Sequence, residues 1–223
     1  MHSTFHRYWR SLPKLIATPR TGLRFASTSF LLRVPPPSAP REVPTPLLFV
    51  SAGPWDKEST TGMSFLASML AEKGFTCIET NLTVPDGSKK DSQSMMKDYE
   101  SELVSTVRLS TIPFPPVIVA RASACLIAET YISSNAASGM VLISPPMSNK
   151  ALEEKNMIPT PLDEFNYEPS FPIAIIATPQ QAEHLRQSNR ICQNGNVDVI
   201  SVDGLNDQQT FSELENWLDK LGI

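Results

Sequence analysis

Residues 116–134 read PVIVARASACLIAETYISS, a short apolar strand that runs into an apolar helix with almost nothing between them. PVIVA (116–120) is too short for a buried helix and is rich in β-branched residues, which predicts a strand covered on both faces. The helix predicted over 123–134 follows at once. The connection is Ala120-Arg121-Ala122-Ser123-Ala124. Small residues flank its centre, as a sharp strand-to-helix bend requires where backbone and helix come too close for larger side chains.

The same alternation extends in both directions. Five more apolar runs read as strands: LLFV (47–50), FTCIET (75–80), GMVLIS (139–144), PIAIIA (172–177) and NVDVISV (196–202). Between them lie helical patterns. One, over 61–73, aligns Phe65, Leu66, Met69 and Leu70, with Gly74 placed as its C-terminal cap. The next, capped by Asp91 and running to Leu109, stripes Met95, Tyr99, Leu103 and Val107. Two more span 180–192 and 207–221, the last presenting Phe211, Leu214, Trp217, Leu218 and Leu221. Continuous apolar strands separated by amphipathic helices predict an α/β fold, a mostly parallel sheet with helices on both faces. Binding positions in such sheets lie beyond the carboxyl ends of the strands. The connection between residues 144 and 172, about 28 residues long, is too short for a full cap domain.

Length and composition set the outer bounds. The 223 residues, 41% apolar and 19% charged, support one globular domain with a real core. No apolar run is long enough to span a membrane. Cys77, Cys125 and Cys192 are odd in number and widely spaced, which suggests neither a disulfide framework nor a metal site, and Cys125 reads as a small core residue. Charge is uneven. Residues 1–41 hold seven basic residues and no acidic one. Phe5, Trp9, Leu12 and Ile16 recur at helical spacing among Arg, Ser and Thr, so residues 1–27 resemble a mitochondrial presequence with cleavage near residue 26 or 27. This implies a mitochondrial, matrix location. Cleavage would take the balance from 19 basic against 23 acidic residues to 14 against 23, a net charge of −9. Such a body disfavours nucleic acid. Residues 28–46 read as a Pro-rich linker, with six prolines in 35–46 that should lie extended outside the sheet, while Leu31 and Leu32 could add a short edge strand. The folded domain is assigned to 47–223.

Across that domain the chain resembles an α/β-hydrolase. LLFVSAG resembles the family's strand and oxyanion loop, VIVARASACLIAETY its nucleophile elbow, and GMVLISPP the strand after it. The resemblance implies a nucleophile at the elbow's tip, a carboxylate after a later strand, and a histidine after the last strand to take the nucleophile's proton. With Ala120 and Ala124 as the small positions, the tip is Ala122, and a methyl group cannot attack a carbonyl. The alternative frame makes Ser123 the nucleophile but puts Arg121 at a crowded position. Asp203-Gly204-Leu205-Asn206-Asp207 follows the last strand without a histidine, Gln180-Gln181 stands where the acid belongs, and His184 falls inside a helix. Pro54 also removes an N–H from the oxyanion loop.

The expectation is therefore a noncatalytic ligand-binding or scaffolding module with no catalytic residues. Its rim carries Ser51, Trp55, Arg121, Ala122 and Gln180 as candidate binding residues. The alternative is a serine esterase, thioesterase or acyltransferase using Ser123 with His184 as base. No cofactor is expected, since GxGxxG and P-loop patterns are missing. No metal is expected, since the mature chain would keep one histidine. The implied partner is a small apolar or acyl ligand, or a protein of a mitochondrial assembly. Glu153-Glu154 and Asp163-Glu164 read as solvated surface.

Overall fold

The computed structural model describes residues 28–84, 90–166, 168, 170–193, 197–205 and 207–223. The presequence assigned to residues 1–27 lies outside them. In chain order the elements are β1 (Ser29–Arg33), β2 (Val43–Ser51), α1 (Met63–Glu72), β3 (Phe75–Asn81), α2 (Ser92–Leu109), β4 (Val117–Arg121), α3 (Ala124–Ile132), β5 (Gly139–Ile143), α4 (Asn149–Glu154), β6 (Ile173–Ala177), α5 (Pro179–Ser188), β7 (Val197–Ser201) and α6 (Asp207–Lys220). They build one seven-stranded sheet in the order β1-β3-β2-β4-β5-β6-β7. Only β1 runs antiparallel to its neighbour.

Side-chain alternation divides the core in two. Leu47, Phe49, Val117, Val119, Val141 and Ile143 face α1 and α6, where Leu66, Leu70, Leu214 and Trp217 pack on them. Leu48, Val50, Ile118, Ala120, Met140 and Leu142 face the other way, toward residues of α2, α3 and α5 such as Tyr99, Ile127 and Leu185. Both faces are covered, so β4, β5 and β6 are buried throughout and their sequences are continuously apolar. Local signals hold at the helix ends. The Asp91 side chain accepts from Ser94 N at 2.8 Å at the start of α2, a cap worth about 1 kcal/mol.

Gly74 turns the chain from α1 into β3 at φ +105, and its missing side chain leaves room for the Arg41 carbonyl. A Cβ there would collide with backbone. Gly74→Ala is therefore expected to cost about 1–3 kcal/mol, read as a fall in thermal midpoint, whereas a benign site would change little.

Two expectations need correction. The stretch assigned to a linker contributes two pieces of sheet, the edge strand that Leu31 and Leu32 allowed and the start of β2, which was not expected. β1 pairs Leu31 with Glu79 and Leu32 with Ile78 at the edge, and Arg33 forms an ion pair with Glu79. β2 begins at Val43, whose N–H reaches the Gly74 carbonyl at 2.9 Å. Pro44 and Pro46 are tolerated because the register with β3 shifts between Val43 and Leu47, so the missing donors fall in an irregularity instead of a regular ladder. The helix predicted over 180–192 also stops at Ser188. The Asn189 side chain accepts from Ile191 N at 2.9 Å and turns the chain into a short 3-10 segment, Ile191–Gln193.

Candidate functional site

The site begins with the bend after β4. Ala122 adopts φ +51 and donates its N–H to Ile143 O at 2.9 Å, while Ala120 and Ala124 are fully buried beneath it. A left-handed residue between close-packed small neighbours is the geometry of an elbow tip. The tip is Ala122, and it carries a methyl group. Ser123 is the next residue, already helical and only 4% exposed, with its Oγ donating to Met157 Sδ at 3.5 Å.

The N–H of the residue after the tip normally helps hold an oxyanion, together with an N–H from the loop after β2. Here the chain fills those positions itself. Ser123 N donates to Asp56 Oδ2 at 3.1 Å. In the β2 loop, Gly53 N donates to Asn81 Oδ1 at 2.7 Å and Ala52 N to Ser59 Oγ at 2.9 Å. The carboxylate sits well at this place. The start of α3 carries partial positive charge, and the other Asp56 oxygen accepts from Glu58 N at 3.0 Å, capping the 3-10 turn Lys57–Thr60. A substrate carbonyl oxygen would have to displace an anion bound at both ends.

Ser51 is buried and donates to Ser59 O at 2.9 Å, which fixes the oxyanion loop from beneath. Trp55 is half-buried, with Nε1 on Met157 O at 2.7 Å and its ring 5.4 Å from that of Tyr99. Arg121 is 6% exposed and follows the strand alternation toward the α1/α6 face. Its guanidinium donates to Thr61 O at 2.9 Å and Leu205 O at 3.2 Å, tying the loop before α1 to the loop after β7. Gln180 is exposed at the start of α5, and its neighbour Gln181 makes the contacts. Gln181 Nε2 donates to Pro145 O at 3.0 Å and its Oε1 accepts from Ser144 Oγ at 2.9 Å, so an amide joins the turns after β5 and β6. His184 is exposed on α5, and Ser123 Oγ is engaged by a thioether.

Asp56, Asn81 and Met157 are site residues that sequence reasoning missed, and Gln181, noted at the place of the acid, was not singled out as a contact residue. Asp56 lies two residues beyond Pro54 in the loop already singled out, which is the one signal that pointed to it. Cys125 is fully buried, its thiol pushed well up by burial and by the Glu129 charge, in keeping with a core role. Among the described residues no group of three or more His, Cys, Asp or Glu side chains is placed to hold a metal ion. No described helix is long and apolar enough to cross a membrane.

No protein-family model matches the sequence, and no curated protein is recognisably similar to it. Solved structures do resemble the fold. A lidless α/β serine hydrolase of Xanthomonas campestris superposes with a TM-score of 0.59 at 13% identity, covering 86% of this chain and 87% of its own. An α/β serine hydrolase homologue from Coxiella burnetii gives 0.58 at 13% identity, over 86% and 89%. The apo form of esterase 2 of Thermogutta terrifontis gives 0.56 at 12% identity, over 87% and 90%. The chain therefore has the α/β-hydrolase fold, with the short helix α4 in the connection between β5 and β6.

Proposed function

Starting from the α/β-hydrolase fold, we propose that this protein is a noncatalytic module of the mitochondrial matrix that binds a small apolar or acyl ligand or a protein partner. One observation carries the reading: the elbow's tip is Ala122, and the N–H beside it is held by the protein's own Asp56 carboxylate. A hydrolase needs a nucleophile, a base and an empty anion hole. This elbow supplies a methyl group and a filled hole. The presequence-like start of the chain supports the mitochondrial part of the proposal, and the acidic body that cleavage would leave disfavours a nucleic-acid partner.

The resemblance to serine hydrolases and an esterase favours a second reading, in which Ser123 attacks an acyl or ester carbonyl with His184 as base. A fluorophosphonate probe separates the two. The full chain is expected to remain unlabelled, with Ser123→Ala indistinguishable from the parent. Labelling that disappears in Ser123→Ala would establish the enzyme. Under the leading reading, a co-purified lipid or acyl compound identifies a ligand-binding module, and native migration far above the monomer mass identifies an assembly subunit.

A further inference from the structure

A cavity of about 330 Å³ lies between α2, α3 and the connection that follows α4, lined in part by Met96, Leu126, Leu162 and Phe165. It is separate from the elbow: Glu129, at its wall, stands six residues along α3 from Ser123, about 9 Å of helix rise. Glu129 is 9% exposed, and the groups that act on its carboxyl are burial and the Glu164 charge, with no cation or hydrogen-bond donor among them. A carboxyl at that depth is ordinarily paired. Here the open side of the group is the cavity.

The surroundings select the kind of ligand. Glu100 from α2 and Asp163 and Glu164 from the connection add negative charge at the rim, and Lys97 from α2 is the cation on the lining. Glu164 is exposed, as its sequence context suggests, and it also accepts from Asn149 N at 2.8 Å at the start of α4, which ties it to the wall. An anion would meet this field unfavourably. A divalent cation is disfavoured for another reason, since among the described residues no three of these carboxylates stand close enough together to hold a metal ion. A cation with an apolar tail satisfies both parts of the lining.

We propose that this cavity is a binding site for a protonated primary amine carried on a hydrocarbon body, with the Glu129 carboxyl as counter-ion. The proposal stands whether or not the elbow is inert. Burial, with the Glu164 charge, pushes the Glu129 carboxyl up to about 8, so at neutral pH the free protein holds it as the neutral acid. An arriving ammonium favours the ionised form. The carboxyl O–H proton passes to solvent, the carboxylate accepts from the ammonium N–H, and close to one proton is released per ligand bound.

The test is calorimetric titration of the full chain with hexylammonium, hexan-1-ol and hexanoate, at neutral pH in two buffers of different ionisation enthalpy. Hexylammonium should bind most tightly and release a proton, and hexanoate should bind least. Glu129→Gln keeps the shape of the neutral acid and is expected to fold. In it, hexylammonium affinity should fall about tenfold or more and proton release should vanish, with hexan-1-ol little changed. Saturable binding with that loss supports the site. Undetectable hexylammonium binding, equal binding of hexanoate, or undiminished hexylammonium binding to Glu129→Gln overturns it.

Discussion

Replacing Glu129 by glutamine should stabilise the protein increasingly as pH rises from 4.5 to about 8, by up to about 5 kcal/mol above that window. Burial first, and the Glu164 charge second, raise the folded-state value of this carboxyl above its ordinary 4.5. The folded chain then keeps a proton that the unfolded chain releases. Stability is greatest below the unfolded value and is lost as pH rises through the folded one, at about 1.4 kcal/mol per unit. Glutamine has no proton to lose. The parent and Glu129→Gln should match at the acid end of the window, diverge through it, and run parallel above it. Urea unfolding at a series of pH values measures the difference. A constant gap at every pH would mean that the fold does not hold this carboxyl protonated.

Arg121→Met should lower stability by about 2–5 kcal/mol, seen as a smaller urea midpoint with an unchanged denaturant slope. Its guanidinium is buried and donates to the Thr61 and Leu205 carbonyls. Methionine fills much of the same space but leaves both carbonyls without these donors. The two loops it joins flank the elbow, so their loosening reaches the site indirectly. An arginine serving only to contact a ligand from the rim would behave differently, its loss leaving stability within about 0.5 kcal/mol.

These residues show how far the sequence could be read. Arg121 was recognisable as an oddity, a large cation next to a bend of small residues, and was assigned to the rim. Strand alternation turns it toward α1 and α6 instead. Ser51 and Trp55 likewise lie in the expected loop, yet the first is buried on Ser59 O and the second is tied to Met157 O and Tyr99. Gln180 was singled out, but Gln181 makes the contacts because the helical turn exposes the first and aims the second at Pro145. The Pro-rich stretch was judged by the donors proline lacks. Pairing survived at Val43 because a register shift absorbs two prolines, and no composition count reveals a register shift.

Local pattern in the chain establishes the alternation of strands and helices, the buried parallel sheet and a sharp bend of small residues over 120–124. Each of these follows from periodicity or steric demand among residues a few positions apart. Folding in three dimensions puts the Asp56 carboxylate on the Ser123 N–H and Asn81 on the Gly53 N–H, sets Ala122 and not Ser123 at the tip, and places Glu129 on a cavity wall. The first two contacts join residues 67 and 28 positions apart, and the cavity wall is drawn from four separate stretches of chain. Such pairings depend on where the backbone carries distant side chains, which local sequence does not encode.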